Sequence, residues 1–506
     1  MFDSVRYSFN LLRAGRTLAA YDALLTPEQL DQLPWSARLL LSIAKLGTRK
    51  PPRDQENPVA AALSSLGPSY IKLGQFLATR PDLVGPQRAF DLKALQDRLP
   101  PFPAAEARHI IRRNLGADVD SLFVDFGPPV AAASIAQVHK ATSPDGRELA
   151  VKVLRPGVDK RFASDLGSFY FAARLMERLS AEGRRLRPVA AVHMLEQSMK
   201  QELDLRMEAA ALSEMAENTR DDPGFRVPKV DWERTGREVL TTEWIDGTPI
   251  SDVESLRAQG FDLVKLGDTV IQSFLRHAIR DGFFHADMHQ GNLFIDRSGN
   301  LVAVDFGIVG RLGRDESRFL AEILHGFITR NYLRVSQVHF EAGYVPRTHD
   351  PAVFAQAIRA IGEPIMDRAA NQISMARLLT QLFEVTAQFD MQTQPQLLLL
   401  QKTMVVVEGV ARTLNPNLNM WVTAEPVVRT WIERKLGPAG RLEDASMTLA
   451  SLFAGLPAML GEAQRATTLL SDLAADRSVE RGRHWTQIWL ALGAVSLAVI
   501  ALSLLR

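Results

Sequence analysis

One stretch limits what this chain can fold into more than any other. It runs from 282 to 307 and reads GFFHADMHQGNLFIDRSGNLVAVDFG. Two short apolar runs, NLFI and LVAV, flank DRSGN, a glycine-containing turn, and together they predict a β-hairpin. His285, Asp287 and Asn292 precede the hairpin with the spacing H-x-D-x-x-x-x-N, and Asp305 follows it. Such a hairpin brings Asn292 and Asp305 together at its open end. A side-chain amide and a carboxylate there, completed by phosphate oxygens, suit Mg²⁺, a hard ion that takes oxygen ligands. Asp287, on the same loop, would face an attacking oxygen so that a phosphoryl group is held in line. His285 is read as organising the loop backbone, and His289 receives no role.

A lysine elsewhere in the chain would complete such a site. Lys152 lies in ELAVKVLRP, flanked by apolar residues in a predicted strand. Its ammonium needs a partner, because burying it bare is costly. In kinase-like sites this lysine meets the α/β phosphates and is oriented by a helical glutamate. The candidate acids stand in QELDLRMEAA: Glu202, Asp204 and Glu208. On one continuous helix Asp204 and Glu208 share a face, whereas Glu202 points about 120° away from Glu208. The two glutamates are therefore expected to do different jobs. A protein kinase would place G-x-G-x-x-G over the phosphates. Here the corresponding strand and turn read Ala131-Ala132-Ala133-Ser134. Alanine disfavours positive φ, so this loop is expected to hold a nucleotide differently from glycine. Glu243, near the end of the predicted strand REVLTTEWIDG, closes the set of nucleotide-binding candidates.

The rest of the chain sets the frame. Its 506 residues exceed one small core, since domains run to about 100–200 residues. A formal net charge of +1 gives no global field for nucleic acid, and none is expected as a partner. Cysteine is absent, which excludes disulfides and thiolate metal sites and fits a reducing compartment. Four domains are expected: a helical extension over 1–125, a strand-rich lobe over 126–248, a helical lobe over 249–475 and a transmembrane helix over 486–505. Within the extension Leu63, Leu66, Tyr70, Leu73 and Leu77 recur at helical spacing. PVAAASIAQVHKAT, SPDG and RELAVKVLRPG read as strand, turn and strand. Helices are predicted over 166–180 and 192–218. At the other end, residues 488–505 hold 18 positions without a charge. As a helix that run is roughly 27 Å long, near the thickness of a bilayer core. Trp485 and Trp489 would sit at one interface, and Arg477, Arg481 and Arg483 before the span place the main body on the cytoplasmic side. The opening MFDSVRYSFNLLRAGR lacks the apolar run of a secretory signal. An apolar stripe over 445–475 (Leu449, Leu452, Phe453, Leu456, Leu460) fits either core packing or a bilayer surface.

Taken in order, the motifs resemble the UbiB family, also called AarF-like, of atypical kinase-like proteins. IKLGQFLATRPDL matches its K-x-G-Q segment and gives Lys72, Gly74 and Gln75, followed by Arg80, Asp82 and Leu83. LQDRLPPFP, the alanine-rich AAASIAQVHKA, VKVLRPG, the E-x-D of ELDLRMEAA, FFHADMHQGN and VDFG complete the set between about 60 and 310. The resemblance implies an α+β, bilobal protein-kinase-like fold with its helical extension lying over the active site. It implies ATP or ADP with Mg²⁺, and an ATPase-like activity tied to ubiquinone biosynthesis at the inner (cytoplasmic) membrane. Implied partners are membrane lipid and ubiquinone-biosynthesis proteins or quinone precursors. Carried over residue by residue, Lys152 pairs with Glu208, while Lys72 and Gln75 meet Glu202 and Asp204. Ala78 departs from the family, which often has serine there, and a single terminal span departs from members with two. Two other readings stand beside this one. HADMHQGN…VDFG alone also resembles small-molecule phosphotransferases of the aminoglycoside- or choline-kinase type, and a catalytically silent membrane scaffold is the third.

Overall fold

The computed structural model describes residues 2–21, 57–78, 99–179, 187–366, 384–386 and 395–437, with single positions and short pieces between them. The stripe at 445–475 and the span expected at 486–505 lie outside the described residues. Among the described residues no helix is long and apolar enough to cross a membrane. The chain divides into two units, Met1–Trp431 and Ile432–Arg506, and every candidate site residue belongs to the first.

Among the described residues four helices of more than two turns open that unit, α1 (Phe2–Ala20), α2 (Pro58–Leu66), α3 (Pro68–Ala78) and α4 (Ala104–Leu115), followed by a single turn at Val119–Leu122. The upper sheet comes next, with strands β1 (Asp125–Ala132), β2 (Ala136–Thr142) and β3 (Glu148–Leu154). A fourth strand, β5 (Val239–Glu243), joins β3 after a helical stretch, giving the order β1-β2-β3-β5. Strand alternation decides which side chains face where. Leu149, Val151 and Val153 of β3 are buried with Ala107, Ile110 and Ile111 of α4 in one apolar cluster. Lys152 lies between them in sequence and so projects from the opposite face of the sheet. The predicted strand PVAAASIAQVHKAT is in fact two strands, because the backbone reverses at Ser134-Ile135 and Ala133 N–H donates to Ala136 O at 2.8 Å.

Among the described residues the helices between β3 and β5 are α5 (Val158–Leu179), α6 (Pro188–Glu202) and α7 (Leu205–Asn218). The sequence predicts one helix over 192–218, but the chain breaks at Leu203. Asp204 takes an extended conformation, φ −123° and ψ 93°, and its carboxylate accepts the Arg206 N–H, which caps the new helix.

The lower half holds a second sheet. It contains β4 (Phe225–Arg226), β6 (Gly247–Pro249), β8 (Leu293–Asp296) and β9 (Leu301–Ala303), in the order β4-β9-β8-β6. The hairpin expected around DRSGN is formed, with Leu293 opposite Ala303 and Ile295 opposite Leu301. Gly299 supplies the φ of +82° that its turn requires. Before the hairpin, α8 (Leu263–Arg276) leads through a wide turn, His277–Asp281, into β7 (Phe283–His285). β7 pairs with β10 (Val309–Arg311), which fixes the segment after Asp305 against the one before Asp287. Helices α9 (Arg314–Ile328), α10 (Tyr332–Glu341), α11 (Pro351–Met366) and α12 (Pro395–Leu414) follow in the lower half, and α13 (Met420–Leu436) comes after them in the chain. Tyr332, Val335, Phe354 and Ile358 form a separate apolar cluster there. α12 buttresses the site directly, since Thr403 Oγ1 donates to Ala286 O at 3.1 Å.

Candidate active site

Lys152, Glu208 and Asp305 come from three distant parts of the chain and meet at one point. Lys152 Nζ donates to both carboxylate oxygens of Glu208 at 2.9 Å and to Asp305 Oδ1 at 3.0 Å. Glu208 sits on the apolar stripe of α7, between Leu205 and Leu212, and is 7% exposed. A carboxylate there needs a cation, and β3 supplies it. Two carboxylates share one ammonium, and their proton affinities split. Burial pushes the Glu208 carboxyl up to about 7, against the pull of Lys152. Asp305, half-exposed, is held well below the usual carboxylate range: burial alone would raise it, but Lys152 more than offsets that. Burial would likewise lower the Lys152 ammonium, but Asp305 and Glu208 hold it well above the usual lysine range. Asp305 itself has φ +61°, a strained conformation that aspartate tolerates better than most residues. Next to it, the buried Phe306 ring lies 4.5 Å from the His285 ring.

The loop carrying Asp287 is organised by His285. Asp287 N–H donates to His285 Nδ1 at 3.0 Å, which leaves Nε2 protonated and directed at Val304 O, 3.1 Å away. This is a neutral imidazole, and burial lowers its proton affinity accordingly. One ring thus ties the backbone of the Asp287 loop to the segment between β9 and Asp305. Asn292 repeats the tie. Its Nδ2 donates to Asp287 O at 3.1 Å, and its carbonyl accepts Val304 N–H at 2.9 Å. With Nδ2 so committed, Oδ1 is the atom Asn292 offers to a cation. His289 Nδ1 accepts Gly291 N–H at 3.0 Å, and its Nε2 lies 3.7 Å from Asp287 Oδ2. Among the described residues no three acids or imidazoles converge on a metal position. The donor set Asn292 and Asp305 therefore fits a Mg²⁺ that arrives with phosphate oxygens rather than one held by protein alone.

Ala131 and Ala132 end β1, opposite Val138 and Gln137. None of Ala131–Ser134 has positive φ. Arg155 holds this turn in place. Its Nε and Nη2 donate to Ala133 O at 3.0 and 2.8 Å, and Nη2 also reaches Pro100 O at 2.9 Å. Both backbone groups of Ala133 are thus used within the protein. Glu243 has a different placement from the other candidates. Its side chain accepts from Arg226 Nη1 at 3.0 Å and from Lys229 N–H at 3.3 Å. Arg226 Nε in turn donates to Asp296 at 2.8 Å.

The extension reaches the site through α3. Lys72 Nζ lies 2.6 Å from Glu202 Oε2, with both side chains almost buried, and its charge also helps to hold Asp305 ionised. On the same helix Gly74 lets α3 pack closely on α2, since a Cβ would lie 2.3 Å from Leu95 and 2.7 Å from Leu63. Gln75 is partly buried on the same helix. Asp204 turns elsewhere, pairing with Arg206 at 2.6 Å. Glu202 ends α6 and Asp204 caps α7, so the acids do not share the faces that a single continuous helix would give them. Glu202 and Glu208 do hold different lysines, because they stand on different helices. Sequence reasoning missed Arg155, Glu214, Asp222, Arg280 and Arg311. Of these, Arg155 stands within VKVLRPG, the motif that carries Lys152.

The chain is similar to known proteins. The ABC1 atypical kinase-like domain matches residues 94–339, and the UbiB helical domain matches 358–419. A protein of Marinobacter nauticus named "Probable protein kinase UbiB" is 39% identical over 492 residues, covering 93% of this chain and 90% of its own. Its namesakes are 40% identical over 438 residues in Pseudomonas aeruginosa (85% of this chain, 82% of that one) and 38% over 500 in Azotobacter vinelandii (96% and 91%). Among solved structures, the complex of Mycobacterium tuberculosis Rv3197 with erythromycin aligns with a TM-score of 0.50 and 24% identity. It covers 78% of this chain and 97% of that one, and the likeness concerns the fold.

Proposed function

Because the chain belongs to the UbiB family of ABC1 atypical kinase-like proteins, we propose that it is an ATP-dependent enzyme supporting ubiquinone biosynthesis at the membrane. The observation that carries the nucleotide reading is Lys152 held between Glu208 and Asp305, with Asn292 on the adjoining hairpin. Lys152 would meet the α/β phosphates, oriented by Glu208. Asn292 and Asp305 would hold Mg²⁺, which supplies charge neutralisation at the phosphates. Asp287 faces the acceptor oxygen, a water in an ATPase. The turn at Ala131–Ser134 covers the nucleotide without glycine, and Glu243 contributes at the junction of the two halves through its contact with Arg226. Lys72 and Glu202, joined by a nearly buried ion pair, bring the extension over the site. A cover in that place argues against phosphorylation of proteins in trans, and against the small-molecule phosphotransferase reading.

The membrane part of the proposal rests on sequence. The uncharged run at 488–505 would anchor the protein in the inner membrane with its body in the cytoplasm. There it would regulate or assist access to lipid-embedded quinone precursors. The decisive test is a deletion strain complemented with wild type and with Asp305→Asn. Loss of quinone with the variant, together with loss of lipid-stimulated ATP hydrolysis by the purified protein, is expected. Normal quinone in the Asp305→Asn strain would reject the proposal. Stoichiometric phosphate transfer to a soluble alcohol would favour the phosphotransferase instead.

A further inference from the structure

α12 runs beside the Asp287 loop. Thr403 Oγ1 donates to Ala286 O at 3.1 Å, and Gln290 Nε2 donates to Thr413 Oγ1 at 3.2 Å. At that second contact lies an open cavity of about 360 Å³, lined by Gly409, Arg412, Thr413 and Pro416. None of these residues has a part in the nucleotide site. Gly409 stands inside the helix, where glycine is a poorer former than alanine. Its φ is not positive, and a Cβ built on it meets no described atom within 4 Å. Neither the backbone nor the packing asks for glycine there, so what it provides is room. Arg412 is half-buried, yet among the described residues its guanidinium makes no hydrogen bond or ion pair. Glu408, one turn earlier, feels that charge without pairing with it. Burial pushes the Glu408 carboxyl upward, which favours its uncharged form. Lys402 stands two turns before Gly409, on the same side of the helix. It is exposed and has no carboxylate partner among the described residues.

We propose that this cavity is a second ligand site, separate from the nucleotide site, and that it takes a phosphate group. The planar fork of a guanidinium fits phosphate oxygens. The Thr413 hydroxyl spends its proton on Val410 O at 2.6 Å, so Arg412 is the donor that the ligand meets. Lys402 adds a second positive charge on this side of α12, which suits a doubly charged anion better than a carboxylate. The occupant approaches over Gly409. Gln290 is bonded to Thr413 and stands three residues after Asp287, so the site adjoins the Asp287 loop from the α12 side. A phosphate free in solution and one carried by a lipid headgroup present the same oxygens, and the experiment separates them.

The full chain is studied without nucleotide. Inorganic phosphate is exchanged for chloride at constant ionic strength, with binding read by phosphorus NMR and its location by amide hydrogen exchange. Bound phosphate should slow exchange over residues 409–416. Arg412→Gln should weaken binding there about tenfold or more, the share of one charge-assisted contact. Gly409→Leu, which fills the cavity, should abolish it, while the unliganded variant melts no lower than wild type. A parallel arm offers vesicles of phosphatidylcholine with and without phosphatidic acid. Protection of 409–416 by phosphatidic acid and not by free phosphate, lost in Arg412→Gln, assigns the group to a lipid headgroup. Binding that survives both substitutions, or the absence of Arg412-dependent protection with either source, overturns the proposal. No readout requires ATP, so failure of the wild type to bind or hydrolyse it would count against the functional reading alone.

Discussion

Replacing Glu208 by glutamine changes the charge at the meeting point of three elements and almost nothing of its shape. Glu208 gives up its proton near 4.5 in an unfolded chain and at about 7 in the folded one. Between those values the folded state binds the extra proton, so the free energy of unfolding falls as pH rises. The stabilising contribution is complete below 4.5 and is lost as pH climbs through 7. The difference amounts to roughly 3 kcal/mol, at about 1.4 kcal/mol per tenfold change in proton affinity. Glutamine cannot titrate and lacks this slope. The assay is urea unfolding of wild type and Glu208→Gln at pH 5, 6, 7 and 8, without magnesium or nucleotide, monitored by tryptophan fluorescence. The variant should gain on wild type by roughly 2–3 kcal/mol from pH 5 to 8. A wild-type-minus-variant difference that stays flat over that range would refute the reasoning. It would mean that Lys152 keeps Glu208 ionised throughout.

Three further outcomes are expected from the packing. Asp204→Ala removes the cap of α7 and should lower stability by about 1 kcal/mol, read from the urea midpoint. Gly310→Ala puts a Cβ 2.1 Å from the Phe284 ring and should destabilise by about 1–3 kcal/mol through overpacking, whereas Gly146→Ala, with open space around it, should cost only its backbone strain at φ +82°. Arg155→Met strands the Ala133 and Pro100 carbonyls, and hydrogen exchange across residues 131–136 should quicken several-fold while the lower half keeps its protection.

The lower hairpin was legible because everything that specifies it is local: two apolar runs of matched length and a turn with glycine where positive φ is needed. Lys152 was legible for a similar reason, since alternation along β3 leaves only one face for it. The break before α7 was not. Helix-forming residues continue through 192–218 without proline or glycine, and Asp204 is the only sign of a new start. Reading through that residue put the wrong acids on one face, although it correctly separated Glu202 from Glu208. The Arg280–Asp222 and Arg311–Glu214 pairs are 58 and 97 positions apart in sequence, so no periodicity could have joined them. Glu243 shows the opposite limit: its strand was foreseen, but which way its carboxylate turns depended on Arg226 and Asp296, contributed by other strands.

That last trio also joins the two halves. Arg226 on β4 joins Glu243, the final residue of an upper strand, to Asp296 at the foot of the lower hairpin. Glu243 and Arg226 are each about one-third exposed, at 34%, so ions in solution reach the contact. Within a Debye length of about 8 Å at cellular ionic strength, dissolved salt competes with the guanidinium for its carboxylates. The stiffness of the joint is therefore tunable by the medium, and product escape, if opening limits turnover, should speed up as salt rises even though nothing at Lys152 has changed.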